Sequence, residues 1–209
     1  MSGNMRNEKL KYILKLCFLA AIEFIFCFTP LGSIPIGPIV ATLALIPVII
    51  ASLTFGLKAG ATIGFIMATF SFIYWTFLMP AFPTAFLFTP FAEASEYKGN
   101  IGSLIICFVP RVLSGIVPAL VVGHNNSQEV VDTKTMSPVK PIIASILGSL
   151  TNTILVLIFI ALFFGKEYST IMGKGVLVLI GSTVITNGIP EAIVAAIVCP
   201  VVSRIIKNI

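Results

Sequence analysis

Charge is what this sequence has least of. Of its 209 residues only 10% are charged, against 57% that are apolar, and the mean hydropathy is +1.08. A water-soluble domain carries about 25% charged residues, so this chain cannot coat a surface of its own size with charge. Histidine occurs once, at His124, which excludes His-dependent triads and the H-E-x-x-H zinc motif. No G-x-x-x-x-G-K-[ST] is present, so no P-loop binds a nucleotide. The four cysteines Cys17, Cys27, Cys107 and Cys199 lie in apolar runs without a C-x-x-C pair; they read as small buried hydrophobes, not as a metal or disulfide framework. The paired acidic motifs of a metal-dependent membrane transferase are missing as well. No enzyme activity, metal or cofactor is expected.

What the chain does have is long apolar stretches. A helix needs roughly 20 such residues to cross about 30 Å of hydrocarbon, and six spans with their loops use nearly the whole length. The pattern predicts an all-α integral membrane protein: one membrane domain over residues 1–209, with spans at about 10–28, 39–55, 59–79, 101–122, 141–164 and 175–206. The start (Arg6, Lys9, Lys11, Lys15, then an apolar run) imitates a signal peptide. No small-x-small cleavage site follows, and Glu23 interrupts the run, so it is read as a retained first helix. Residues 30–38 are too rich in Pro and Gly for helix and are assigned to a loop. The connection 80–100 holds Pro80, Pro83, Pro90, Glu93, Glu96 and Lys98; it is apolar enough to lie on the membrane or fold back as a lid. The last span is too long for one straight crossing and is expected to tilt, kink at Pro190 or extend into water.

The net charge of +5 and pI near 9.1 do not point to nucleic acid, because the basic residues are scattered at segment ends without interleaved aromatics. They set topology instead. Arg6, Lys9, Lys11, Lys15, Lys58, Lys134, Lys140, Arg204 and Lys207 fall on one side, and Lys98, Lys166 and Lys174 on the other. Both termini are therefore expected in the cytoplasm of a multi-pass plasma-membrane protein. Small residues four apart, at Gly56, Gly60 and Gly64, at Ala144 and Gly148, and at Ala192 and Ala196, mark close helix contacts.

Polar groups inside the spans are the functional signal. A charge in hydrocarbon costs at least about 2.5–3.5 kcal/mol on insertion scales, and Glu23, Arg111 and Glu191 persist there with the amides Asn152 and Asn187. Arg111 lies about ten residues, roughly 15 Å, from the outer start of its span; the others fall in the outer half or at the midplane. Asn187 and Glu191 are i and i+4 and share a helix face. Pro110-Arg111 and Pro190-Glu191 each follow a proline that frees the carbonyl four residues back, at Ile106 and Thr186. Arg111 pairing with Glu191 or Glu23 as simple helix glue is the plain alternative. One guanidinium cannot satisfy two carboxylates and two amides, so the surplus points to a bound solute. Tyr74 and Trp75, near an outer helix end, suit either an interfacial anchor or a pocket wall.

The stretch IPIGPIVATLALIPVIIA (residues 34–51), followed by FGLKAGA (55–61), resembles the substrate-binding S components of energy-coupling factor (ECF) vitamin transporters. Within that group LTNT (150–153) and TNGIPE (186–191) are most similar to the pantothenate-specific type. The resemblance implies six helices and an outward pocket covered by the loops between helices one and two and between three and four. It implies as partners a transmembrane coupling protein and two cytoplasmic ATPases. The family's A-x-x-x-A docking signature on helix one is matched here by Cys17 and Ala21, with Cys in the first place. For pantothenate, Arg111 would take the carboxylate, Asn152 and Asn187 the hydroxyls and amide, and Glu191 a hydroxyl proton or Arg111 itself. Trp75 and Tyr74 would line the pocket.

Other readings stay open on the residues alone. Folate, biotin or riboflavin is an alternative vitamin. A stand-alone channel or secondary carrier using Arg111 and Glu191 as gate or proton relay is a different class. No internal repeat is visible, which disfavours a self-sufficient inverted-repeat carrier.

Overall fold

The computed structural model describes residues 2–29, 33–36, 39–92, 97–124, 139–173 and 175–208. Helices dominate: α1 (Ser2–Phe28), α2 (Leu45–Phe55), α3 (Leu57–Ile73), α4 (Ile101–Val122), α5 (Val139–Met172), α6 (Val176–Thr183) and α7 (Ile189–Asn208). Four helical stretches are long and apolar enough to cross a membrane: Leu57–Leu78, Ile101–Val122, Val139–Ile171 and Val176–Ile206. α2 is apolar but has only 11 residues, and α1, at 27 residues, carries Lys11, Lys15 and Glu23. Glu93, Glu96, Lys134 and Lys174, used above for the lid or for orientation, lie outside the described residues.

The chain is not purely α. Ser33–Ile36 (β1) and Ile39–Thr42 (β2) form an antiparallel pair, with Ser33 opposite Thr42 and Ile36 opposite Ile39. The second helix therefore starts at Leu45, not Ile39. The β-branched residues Ile34, Ile36, Ile39 and Val40 favour a strand, and Pro35 is tolerated in a two-stranded ribbon that leaves one edge of each strand unpaired. The fifth helix also runs past the expected end at 164, to Met172, across a kink at Phe164 (φ −137°, ψ 25°).

Burial follows a membrane logic. On α7, Ile189, Ile193, Ile197, Val201 and Ile205 are all exposed, whereas on α5 Ser145, Ser149 and Thr153 are buried. A stripe of large apolar side chains facing out and hydroxyls facing in suits lipid as the solvent. α2 stands at the centre, packed on α1, α3, α4, α5 and α7, and its residues are buried from Leu45 to Phe55 apart from Ile46, which is partly exposed. That position explains why it is apolar on every face. Each of Gly60 and Gly115 abuts the other's carbonyl where α3 crosses α4, and Gly64 abuts the carbonyl of Arg111. The four-residue glycine spacing thus sets this crossing. Gly56 (φ +85°), a backbone conformation that favours glycine, turns α2 into α3 against His124. The chain is a multi-pass membrane protein.

Candidate functional site

Arg111 is 8% exposed on α4. Pro110 has no N–H to offer Ile106, and the Arg111 guanidinium supplies it: Nη1 donates to the Ile106 carbonyl at 2.6 Å. The side chain is thereby drawn toward the start of α4. Its Nε is buried without a hydrogen-bond partner among the described residues. The backbone is held from two sides, by Gly64 of α3 and by Ser114 Oγ, which donates to the Arg111 carbonyl at 2.7 Å.

Aromatic rings cover the guanidinium. Phe88 lies over it, 5.2 Å from ring centroid to Cζ, a cation–π distance. Trp75 stacks on Phe88 at 5.4 Å and 20°, with Phe82 at 5.7 Å on Trp75. Tyr74 meets Trp75 edge-on at 5.5 Å and Phe28 of α1 at 6.3 Å. Tyr74–Leu78 is a π-helical turn at the end of α3, a widened turn often found at functional sites. The segment carrying Phe88 is pinned below by a short 3₁₀ turn, Ala85–Leu87, in which Phe86 is fully buried against Phe164 at 5.3 Å. Ser103 Oγ donates to the Phe86 carbonyl at 2.6 Å, and Thr76 and Thr89 share a hydroxyl bond of 2.8 Å. Asn100 and Ser103 form a reciprocal cap that starts α4 beneath it.

A second polar group joins α5 and α7. Thr153 Oγ1 donates to Glu191 Oε2 at 3.4 Å, and Gly188 packs against the same threonine. Val184–Gly188, which carries Asn187, is another π-helical turn. It falls just before Pro190, so the expected kink takes the form of a widened turn. Strand β2 packs on this turn and on α7. Asn187 and Asn152 are half-buried, and Asn152 Oδ1 has no partner among the described residues.

Glu23 is 0% exposed. Oε1 accepts a bond from Cys27 Sγ at 3.1 Å, and Oε2 has no partner among the described residues. Leaving a buried polar atom unbonded costs about 1–3 kcal/mol, and Arg111 Nε, Asn152 Oδ1 and Glu23 Oε2 are among the buried atoms without a partner among the described residues.

The structure brings Arg111, Trp75 and Tyr74 into one assembly and ties Glu191 to α5. No described hydrogen bond or ring contact joins Asn152 or Asn187 to Arg111. Cys17 and Ala21 are exposed on α1, on a different face from Glu23. Phe88 and Thr153 were not foreseen. Thr153 sits in the quoted LTNT stretch, but Phe88 is one of several phenylalanines in its loop and carries no signal of its own. Among the described residues no group of three His, Cys, Asp or Glu is placed to hold a metal.

The family described as ECF transporter, substrate-specific component, matches residues 11–203. Pantothenic acid transporter PanT of Lactococcus lactis subsp. cremoris (strain MG1363) is 35% identical over 161 residues, which cover 77% of this chain and 74% of that protein. An inward-facing polar assembly under an aromatic cover, in a bundle whose large apolar residues face out, agrees with those similarities, and this chain belongs to the substrate-specific components of ECF transporters.

Proposed function

We propose that this vitamin-capturing subunit takes pantothenate from the outer side of the membrane. Similarity to a relative named for pantothenic acid supports the choice, and the single structural observation that carries it is Arg111. A buried guanidinium with Nε unbonded wants an anion, and a carboxylate makes short, charge-assisted bonds to it. Asn152 and Asn187 each offer donor and acceptor to hydroxyls and an amide. Glu191, already bonded to Thr153, takes a hydroxyl proton. Phe88, Trp75 and Tyr74 close over the ligand and keep water from weakening these bonds.

In this reading the chain crosses the membrane six times. α1 and α2 add two crossings to the four long stretches, both termini are cytoplasmic, and the whole is one membrane domain. The hairpin β1–β2 and the Phe88 segment face outward. A coupling membrane protein docks on α1 at Cys17 and Ala21, and two cytoplasmic ATPases supply the energy. The test is mass spectrometry of the small molecule that co-purifies, with calorimetric titration of pantothenate in the absence of ATP. Binding with no nucleotide present supports the reading, and no pantothenate in either experiment overturns it.

A further inference from the structure

Glu23 has no part in the site described so far, yet its surroundings are those of a binding group. It is fully buried on α1, and its one described partner is the Cys27 thiol on Oε1. A thiol is a weak donor and compensates little of the cost of burying a carboxyl group. Oε2 is left without any partner among the described residues.

Its position relative to Arg111 follows from the packing. Phe24 and Phe28 of α1 both rest on Phe70 of α3, at 5.5 and 5.7 Å, and Phe28 continues to Tyr74. Residues 23–28 therefore run beside residues 70–74, and Tyr74 leads through Trp75 and Phe88 to the guanidinium. Cys27, one turn further along α1, bonds Glu23 at 3.1 Å. A continuous chain of aromatic contacts thus links the α1 turn that carries Glu23 to the Arg111 guanidinium. If Glu23 existed to neutralise Arg111, Oε2 would be on the guanidinium. Instead Oε2 and Arg111 Nε are both unbonded.

We propose that Glu23 is a solute-binding residue whose Oε2 accepts a hydrogen from a hydroxyl or amide N–H of the captured molecule, while the molecule's anionic end lies on Arg111. The inference rests on the reading that this chain captures a small anionic solute, and it adds a direction to the site. A ligand must carry a carboxylate at one end and a donor at the other, and it enters one way round. It also places one ligand contact on α1, the helix with Cys17 and Ala21 on its exposed side.

The test uses the full chain, wild-type and as Glu23→Met and Glu23→Gln. Pantothenate and an analogue with both hydroxyls replaced by hydrogen are titrated calorimetrically, and ligand-free thermal unfolding is recorded for each protein. Glu23→Met weakens pantothenate binding about 3- to 10-fold, the range of a single hydrogen bond, and Glu23→Gln, which keeps an acceptor oxygen, weakens it less. The analogue binds wild-type and Glu23→Met equally. The ligand-free Glu23→Met protein melts higher than wild type, because a poorly compensated buried carboxyl is gone. Unchanged pantothenate affinity in Glu23→Met overturns the assignment, as does equal weakening for pantothenate and analogue with a lowered melting temperature, which marks a merely structural residue. If wild-type protein binds no pantothenate, the substrate reading falls, and the same titrations with biotin, which also pairs a carboxylate with N–H donors, decide Glu23: weaker binding by Glu23→Met sustains it and equal binding overturns it.

Discussion

The Arg111 guanidinium donates to the carbonyl of Ile106, the group that Pro110 leaves without a helical partner. Two costly features, a proline inside a helix and a buried charge, relieve each other. The relief also aims the guanidinium, since one nitrogen is fixed on the backbone while Nε is left for other partners. Pro110→Ala restores an N–H for Ile106, so the guanidinium loses its anchor. Thermal stability should hold or rise, as an internal helix proline costs about 3 kcal/mol or more when uncompensated, and pantothenate affinity should fall several-fold. Calorimetry and thermal unfolding on the same preparation separate the two effects.

Lysine in place of Arg111 tests the same geometry from the other side. An ammonium keeps the charge but lacks the planar fork that serves a carbonyl and a carboxylate together. Arg111→Lys should bind pantothenate more weakly than wild type by about tenfold or more, and Arg111→Ala by up to about 100-fold. Equal affinity for the lysine variant would show that charge alone is used.

Much of this was legible in the sequence because local chemistry set it. Pro110 names Ile106 as the freed carbonyl, and a lone arginine in an apolar run must turn inward. Gly60 and Gly64 announce a close crossing. Other features depend on partners distant in the chain. Nothing local selects Phe88 from its neighbours; it lies over Arg111 because Phe86 is anchored on Phe164 and Ser103. The π-helical turns at Tyr74–Leu78 and Val184–Gly188 escape an apolar-run reading, since a turn one residue wider leaves hydropathy unchanged. The hairpin is hidden by its own composition, because Pro and Gly outweigh the β-branched residues between them.

Trp75 is the only tryptophan in the chain, and it stacks on the ring that covers Arg111. Ligand capture should therefore change tryptophan fluorescence. Phe88→Leu removes the stacking surface, which should abolish most of that change and weaken affinity by about threefold to tenfold, as expected for losing an aromatic contact of about 0.5–1.5 kcal/mol. A full fluorescence response in Phe88→Leu would place the ligand away from this roof.

Gly64 lies against the backbone carbonyl of Arg111, and Gly60 against that of Gly115. A side chain at either position forces α3 and α4 apart, and overpacking of this kind costs about 1–3 kcal/mol. Gly60→Val should lower thermal stability with affinity following it. Gly64→Ala, a smaller insertion placed under the arginine, should reduce pantothenate affinity by more than its loss of stability accounts for. Comparing the two variants by unfolding and titration distinguishes a support for the bundle from a support for the site.

Cys17 is the one cysteine of the four that is exposed, and Ala21 is exposed one turn further along α1, so both can be altered without entering the polar interior. Small residues at this spacing admit a partner helix closely, and a bulky side chain would hold it away. Ala21→Trp should leave pantothenate binding by the isolated subunit unchanged, yet abolish its association with the coupling protein and uptake in cells. Cys17→Trp should act in the same way, leaving the isolated subunit's binding intact and blocking assembly. Normal uptake by Ala21→Trp or Cys17→Trp would move the docking face off this side of the first helix.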